Sequence, residues 1–117
     1  MMADYAAAKA ALLNATVSRA KALAGTGVTA NTISPGLIAT DGVQQVLRAE
    51  AQARGWGEDW DVIQQRWMAD VFHNHFVSRL GTVEEVADLV AFIASPRADY
   101  IQGANLRIDE GLVPSIN

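Results

Sequence analysis

Residues 27–36 read GVTANTISPG, and this stretch decides the fold class of the chain. Residues 28–33 form a short run rich in β-branched side chains, with a glycine before it and the sequence Ser-Pro-Gly after it. A run of this kind between turn-forming residues predicts a β-strand. Pro35 and Gly36 then predict a turn or loop at the carboxyl end of that strand.

The segment before this strand predicts a long helix over residues 3–24. Its apolar side chains recur with the 3.6-residue period of one helix face, at Leu13, Val17, Ala20 and Ala24. The glycines at positions 25 and 27 are typical of a helix end. A helix, a short turn and a strand together predict one αβ unit of a parallel sheet.

The rest of the chain predicts three more helices and one more strand. The second helix covers residues 41 to about 54, and the third covers residues 59 to roughly 75. Thr82 is followed three positions later by a glutamate, Glu85, and this capping box predicts the start of a fourth helix, which Ser95 and Pro96 end. The alternating residues 104–108 predict a last strand.

Two of these helices carry an apolar stripe, which predicts that each packs against other parts of the protein. The stripe of the third helix consists of Trp60, Ile63, Trp67, Met68 and Val71. The stripe of the fourth helix consists of Val83, Val86, Ala87, Val90, Ile93 and Ala94.

The composition narrows the class of protein. The chain has 117 residues, of which 50% are hydrophobic and 19% charged, and its net charge of −4 argues against a nucleic-acid partner. It has no cysteine, so disulfides, cysteine nucleophiles and thiolate metal sites are excluded. Proline and glycines interrupt the uncharged stretch at 25–40, and no secretory leader is recognised, so we expect a cytoplasmic protein without a membrane span.

Tyr5 and Lys9 are the candidate catalytic residues. They lie four positions apart near the start of the first predicted helix, which places both side chains on one face. A free tyrosine, with a pKa near ~10, exchanges protons poorly at neutral pH, but a nearby ammonium stabilises the phenolate and lowers that pKa. The pair could then transfer a proton to or from a carbonyl or alcohol oxygen. Taken alone, the same spacing also fits an ordinary surface pair.

Four blocks of sequence give this pair a context. They are YAAAKAAL at residues 5–12, NTISPGLIAT at 31–40, RLGTVEEVA at 79–87 and YIQGANLRIDEG at 100–111, with a helical, apolar insertion between the second and third. In this order they resemble the C-terminal half of the short-chain dehydrogenase/reductase family, over nearly the whole chain. The resemblance implies an α/β fold, the C-terminal part of a Rossmann-type doubly wound parallel sheet, with two strands and about four helices here.

The resemblance also implies roles for single residues. Tyr5 matches the family's acid–base residue, and Lys9 matches the residue that lowers the tyrosine pKa and hydrogen-bonds the nicotinamide ribose, so both also contact the NAD or NADP cofactor. Pro35 and Gly36 match the loop that lies against the nicotinamide. The backbone of Ile38 matches a contact to the carboxamide. Thr40 matches a residue near the nicotinamide amide and the pyrophosphate.

The chain is expected to be one partial domain in three segments. Residues 1–40 carry the catalytic helix, the strand and the nicotinamide loop. Residues 41–77 match the helical flap over the substrate, where the tryptophans with Phe72 and Phe76 would line an apolar pocket. Residues 78–117 carry the last helix, the last strand and the tail.

Some of the family's pattern is missing or changed. The glycine-rich turn that seats the pyrophosphate, the residue that selects NAD or NADP, the catalytic serine and a catalytic asparagine are all absent from this sequence. Near the end, the usual Asp-Gly-Gly is replaced by Asp109-Glu110-Gly111. The chain is therefore expected to be a cut piece, inactive on its own, that forms a homo-oligomer or associates with an N-terminal half.

Three hypotheses remain open for the function. The first is an NAD(P)-dependent oxidoreductase that interconverts a carbonyl and an alcohol in a small-molecule substrate. The second is a non-catalytic remnant that acts as an oligomerising or interaction module. The third is an unrelated small α/β binding domain. The triplet His73-Asn74-His75, with Asp70 nearby, resembles a nuclease motif but lacks its context, so no metal site is expected.

Several of these residues also have a plain structural interpretation. Pro35 and Gly36 could form an ordinary turn, and Thr40 could be the N-cap of the helix that follows it. Trp56 and Trp60 could be core residues, and for Trp67 the core interpretation is preferred.

Overall fold

The described residues form one sheet of two short parallel strands. In a computed structural model of the protein, which describes residues 3–71, 77 and 79–113, strand β1 (Thr32–Pro35) pairs with strand β2 (Asn105–Ile108). Four α-helices accompany them in the described residues. These are α1 (Ala3–Ala22), α2 (Asp41–Ala53), α3 (Trp60–Val71) and α4 (Val83–Ile93), and a 3₁₀ turn at Pro96–Ala98 follows α4. The predicted α/β class is confirmed.

The described residues divide into two compact units. The first unit contains residues 3–34 and Asp88–Arg107, and the second contains Pro35–Ala87 and residues 108–113. Helix α1 therefore belongs to the first unit, whereas α2 and α3 belong to the second. Helix α4 and both strands begin in one unit and end in the other.

Side chains of two polar residues organise the first unit. The amide of Gln102 donates to the carbonyl oxygens of Ala20 and Val28, both at 3.2 Å, and its oxygen accepts the N–H of Ala30 at 2.6 Å. Asn31 donates to the carbonyl of Ile101 and accepts the N–H of Ala104, both at 2.9 Å. These bonds satisfy backbone groups at the end of α1 and in the loops before β1 and β2.

The first strand begins later than predicted. The sequence predicts it from residue 28, but the strand starts at Thr32, whose N–H donates to the carbonyl of Ala104 at 2.9 Å. Gln102 bonds the backbone of Val28 and Ala30 instead, so those residues form a loop held by a side chain. The strand also continues through Pro35, which was predicted to start the turn.

Helix α1 ends close to the predicted position, but its buried face differs from the prediction. Ala20 is its only buried residue, and positions 13 and 16 are half-buried. Val17 is 41% exposed, although it belongs to the predicted apolar face. Gly25 and Gly27 adopt φ of 78° and 75°, the left-handed conformation that commonly ends a helix.

The apolar core lies in the second unit. Its buried members are Leu47, Ala51, Ile63, Met68 and Leu80. Six half-buried apolar residues pack against them, namely Leu37, Ala39, Val43, Trp56, Trp60 and Trp67. The core interpretation therefore describes all three tryptophans. The predicted last residues of the third helix, and Phe72 and Phe76 of the predicted pocket, lie outside the described residues.

Helix α4 starts as its capping box predicts. The N–H of Thr82 donates to Glu85 Oε2 at 2.8 Å, and the N–H of Glu85 donates to Thr82 Oγ1 at 3.2 Å. The predicted apolar stripe is only partly covered, since none of the eleven residues of α4 is buried and Val86 and Ile93 are half-buried. Val83 and Val90 are each 47% exposed.

Candidate functional site

The predicted catalytic pair lies on the exposed surface of α1. Tyr5 is 57% exposed and Lys9 is also exposed. The Nζ of Lys9 is 5.5 Å from the centroid of the Tyr5 ring, a cation–π distance. The structure thus places the ammonium one helical turn from the phenol, on the same face, as the spacing predicts. Both groups are open to a molecule that approaches this side of the first unit.

Gly36 lies where β1 leaves the sheet, and its lack of a side chain has a packing reason. Its N–H donates to the carbonyl of Ile108 at 3.0 Å. A Cβ at position 36 would come within 2.8 Å of the Asp109 Cα and 3.0 Å of its Cβ. Only glycine lets these two backbones approach so closely, whatever else contacts the loop. Pro35, immediately before it, is exposed.

Ile38 forms an isolated parallel bridge with Gly81. The N–H of Ala39 donates to the Gly81 carbonyl at 2.8 Å, and the Gly81 N–H donates to the Leu37 carbonyl at 2.9 Å. Because peptide groups alternate along an extended chain, the N–H and C=O of Ile38 point away from this bridge. Its carbonyl accepts the N–H of Thr40 at 2.8 Å. The carbonyl of Ile38 is therefore used within the loop, and its N–H points away from Gly81.

Thr40 is the N-cap of α2, as the plain structural interpretation predicts. Its hydroxyl accepts the Val43 N–H at 3.4 Å, and it lies in an open cavity of about 470 Å³ with Trp60 and Thr82. The hydroxyls of Thr40 and Thr82 remain able to donate a hydrogen bond, and the indole of Trp60 offers an apolar wall.

Two contacts in the second unit were not predicted. Gln64 is a buried polar side chain within the apolar stripe of α3, and its oxygen accepts the Leu80 N–H at 3.2 Å. Its amide donates to Asp61 at 2.9 Å. The signal in the sequence is a glutamine four positions from both Trp60 and Met68, on the face that packs inward.

The second unpredicted contact is the ion pair of Arg79 and Glu85. The two guanidinium nitrogens reach the two carboxylate oxygens at 3.0 and 2.6 Å, a bidentate geometry. The hydrogen bond from Arg79, with a backbone bond from Thr82, lowers the pKa of Glu85 to about 2. Glu85 was predicted only as the last member of the capping box.

The described residues contain no group of three or more side chains suited to bind a metal ion. The triplet His73-Asn74-His75 lies outside the described part of the chain. Within residues 3–71, 77 and 79–113, no helix is long and apolar enough to cross a membrane.

Comparison with known proteins supports one family. A family model described as enoyl-(acyl carrier protein) reductase matches residues 1–113. The chain is 38% identical over 117 residues to the uncharacterized oxidoreductase YvaG of Bacillus subtilis, covering 98% of this chain and 43% of that protein. It is 38% identical over 110 residues to the 3-oxoacyl-(acyl-carrier-protein) reductase FabG of Vibrio cholerae, covering 94% of this chain and 38% of that protein.

Solved structures have the same fold. The structure of L-sorbose reductase from Gluconobacter frateurii, complexed with NADPH and L-sorbose, matches with a TM-score of 0.76 and 26% identity, over 92% of this chain and 39% of that one. The chain thus spans about two fifths of the length of the proteins that it matches. Since the family model covers residues 1–113, the chain belongs to the short-chain dehydrogenase/reductase family of oxidoreductases.

Proposed function

We propose that this chain supplies the proton-transfer pair and part of the nicotinamide-binding surface of an NAD(P)-dependent oxidoreductase. The observation that carries the proposal is the position of the Lys9 ammonium, 5.5 Å from the Tyr5 ring centroid on an exposed helix face. A bound NADH or NADPH would supply the hydride for reduction of a carbonyl to an alcohol. This chain's residues would hold the cofactor's nicotinamide end and move the proton.

Tyr5 would act as the acid–base residue. In the direction of reduction its hydroxyl donates a proton to the substrate oxygen, and in the direction of oxidation its phenolate accepts the proton of the alcohol. Lys9 would favour the phenolate by charge, because an opposite charge nearby stabilises the ionised form. The ammonium of Lys9 would also donate to the ribose of the cofactor.

Four residues of the second unit would contact the nicotinamide end. Gly36 and Pro35 would form the surface against the ring, and the outward backbone of Ile38 would bond the carboxamide. Thr40 would donate its hydroxyl, which faces the open cavity beside Trp60. The insertion at 41–77 would cover the substrate, and its apolar residues suit a moderately hydrophobic carbonyl or alcohol.

We also propose that the chain corresponds to the C-terminal portion of the family fold and is inactive alone. The order of its four sequence blocks supports the first statement. The second follows because hydride transfer needs the whole cofactor bound, and the glycine-rich pyrophosphate turn is not in this sequence. We expect the protein to act in the cytoplasm.

The tyrosines and lysines of this chain allow a matched test. The experiment joins the chain in frame behind the cofactor-binding portion of a related reductase and measures NADH and NADPH oxidation with carbonyl substrates. Tyr5→Phe should lower the rate by about 10²–10⁴-fold, the usual contribution of a general acid. Tyr100→Phe is the control, because that side chain is fully exposed. Lys9→Met and Lys21→Met form a second matched pair.

Equal activity of the Tyr5→Phe and Tyr100→Phe proteins would refute the assignment of Tyr5. The chain alone should show no energy transfer from its tryptophans to NADH or NADPH on titration. Turnover by the chain alone would contradict only its proposed inactivity, and the role of Tyr5 would still be decided by the variants.

A different observation, the exposure of apolar side chains on two helices, supports a second candidate function. On α1, Leu12 is 52% and Val17 41% exposed, and no residue of α4 is buried. Exposed apolar helix faces favour association, so the chain could act as a non-catalytic module that forms homo-oligomers or binds an N-terminal half. Sedimentation velocity is expected to detect an oligomer. A stable, well-folded monomer would contradict this function.

A further inference from the structure

Glu110 has a backbone conformation that disfavours its own residue type. Its φ is +48°, and it is the only residue other than glycine with a positive φ in the part of the chain that the structure describes. The next residue, Gly111, also has a positive φ, of 75°, which glycine adopts without strain. A glutamate in this position therefore needs a compensating contact.

The side chain of Glu110 makes such a contact. Its Oε2 accepts the N–H of Val77 at 3.0 Å, although the two residues are 33 positions apart. The neighbouring Asp109 has a local role, because its two oxygens accept the N–H groups of Gly111 and Val113 at 3.3 and 3.4 Å. One carboxylate thus shapes the turn after β2, and the next one reaches a distant part of the chain.

Val77 belongs to the return segment, defined here as Val77 with residues 79–81, which leads from the insertion to the bridge at Gly81. Other contacts already hold this segment. Gln64 bonds the Leu80 N–H, and Leu37 and Ala39 bond the backbone of Gly81. These contacts come from α3 and from the loop after β1, whereas the contact of Glu110 comes from the end of β2.

Charge favours the same arrangement. The pKa of Arg79 is raised, chiefly by its hydrogen bond and charge interaction with Glu85, and the charge of Glu110 adds to the shift. The turn after β2 is therefore attractive to the cation on the return segment as well as to the N–H of Val77. Val77, Arg79 and Glu110 line one cavity of about 230 Å³ in the second unit. Met68 of α3 forms part of the apolar wall of this cavity.

We propose that Glu110 is a positioning residue, which fastens the return segment of the insertion to the turn after β2 and so sets the wall of this cavity. The hydrogen bond between Glu110 and the Val77 N–H does not depend on the reaction that the protein catalyses. Its consequence for catalysis rests on the proposed function, in which the insertion covers the substrate. Glu110 would then act on substrate binding through Val77, without touching the reacting atoms.

The test compares three variants of the full chain by amide hydrogen exchange. Glu110→Ala removes the acceptor but keeps the positive φ, Glu110→Gly removes both the acceptor and the strain, and Glu110→Gln keeps a neutral acceptor. The Val77 amide should exchange about tenfold faster in the alanine and glycine variants, and less than that in the glutamine variant. The Leu80 amide, held by Gln64, is the internal control and should not change.

The glycine variant keeps the test decisive if the alanine variant does not fold. Unchanged exchange at Val77 in Glu110→Gly, with circular dichroism like that of the unaltered protein, would overturn the proposal. Equal acceleration at Val77 and Leu80 would also overturn it, because the effect would then be general loosening.

The consequence for catalysis is measured in the fused enzyme described above. Glu110→Gly should raise KM about threefold to tenfold and leave kcat within about twofold, as expected when a contact aids binding but not the chemical step. A fall in kcat with unchanged KM would overturn the positioning role. If Tyr5→Phe leaves activity unchanged, the proposed function fails, whereas the exchange rate of the Val77 amide still decides whether Glu110 holds the return segment.

Discussion

The two units of this chain are stabilised by different kinds of contact. In the second unit, residues from α2, α3 and the return segment form an apolar core in which Ile63 and Met68 are only 1% and 2% exposed. In the first unit, the 20 residues of α1 bury only Ala20. Hydrogen bonds from the side chains of Gln102 and Asn31 organise the loop beside it.

This difference bears on function. The first unit carries Tyr5 and Lys9 on an exposed helix, whereas the second carries the loop proposed to contact the nicotinamide. A unit with its own core can hold a loop in place without help. A unit held by polar contacts, with apolar side chains still exposed, gains much of its stability from whatever covers it. We therefore expect the proposed catalytic pair to depend more on association than the loop does.

The strongest test of this comparison removes core volume from the second unit. Met68→Ala is expected to lower the free energy of unfolding by about 2–5 kcal/mol, because the surrounding core cannot fully collapse onto the cavity. Val71→Ala is the control on the same helix, since Val71 is 48% exposed, and it should change stability by less than about 0.5 kcal/mol. Urea denaturation monitored by tryptophan fluorescence reports on this unit. Similar effects of the two substitutions would show that the core is not well packed.

A glycine substitution gives the next largest effect. Gly36→Ala should cost about 1–3 kcal/mol, because the new Cβ would lie 2.8 Å from the Asp109 Cα and the backbone would have to shift. Gly42→Ala is the matched control, with nothing within 4 Å of the added Cβ. It should be neutral or stabilising by up to about 0.5 kcal/mol within helix α2. A neutral Gly36→Ala, measured by urea denaturation, would mean that packing does not explain this glycine.

In the first unit, the corresponding test removes a polar side chain. Gln102→Ala breaks three hydrogen bonds to backbone groups of Ala20, Val28 and Ala30. The loss should be about 1 kcal/mol, since these groups are partly open to water that can replace the bonds. Gln65→Ala, at an exposed position of α3, is the control. Hydrogen exchange of the Ala30 amide should accelerate in Gln102→Ala but not in Gln65→Ala. An unchanged exchange rate in Gln102→Ala would show that Gln102 does not organise this loop.

Local features of the fold could be predicted from the sequence, and contacts between distant residues could not. The capping box of Thr82 and Glu85 and the glycines that end α1 follow from rules that span a few residues. The start of β1 was wrong because it depends on Gln102, 72 positions from Ala30. The inward face of α1 was partly wrong because periodicity finds apolar positions but not which of them is covered.

In the candidate site too, local features could be predicted from the sequence and contacts that depend on the fold could not. The spacing of Tyr5 and Lys9 predicts their proximity, because both lie on one helix. The N-cap role of Thr40 could also be predicted from its place before a helix. The ion pair of Arg79 with Glu85 could not, because its geometry depends on the turn between the two residues. The bond of Glu110 to Val77 joins segments that only the fold brings together.

The smallest expected effect concerns that ion pair, and it appears as a dependence of stability on pH. The pKa of Glu85 is about 2 in the folded protein, below the usual glutamate value of 4.5. A carboxylate with a depressed pKa stabilises the fold fully above its unfolded pKa and loses that contribution as the pH falls. Stability measured by urea denaturation should therefore decrease between about pH 4.5 and pH 2 in part because of Glu85. Glu85→Gln should make this decrease less steep.

The control for this prediction is Glu84→Gln, which removes the same charge from the same turn of α4 but keeps the hydrogen bonds between Arg79 and Glu85, so Glu85→Gln should reduce the decrease more than Glu84→Gln does. Added salt should reduce the difference between the two variants, because the side chains of Arg79 and Glu85 are 44% and 41% exposed and their attraction is screened. If both variants give the same pH dependence, the bidentate pair does not stabilise the start of α4. Among the contacts in the described part of the chain, Gln64, Glu110 and the bridge at Gly81 would then hold the return segment. Glu110→Gly should in that case cause a correspondingly larger loss of exchange protection at the Val77 amide.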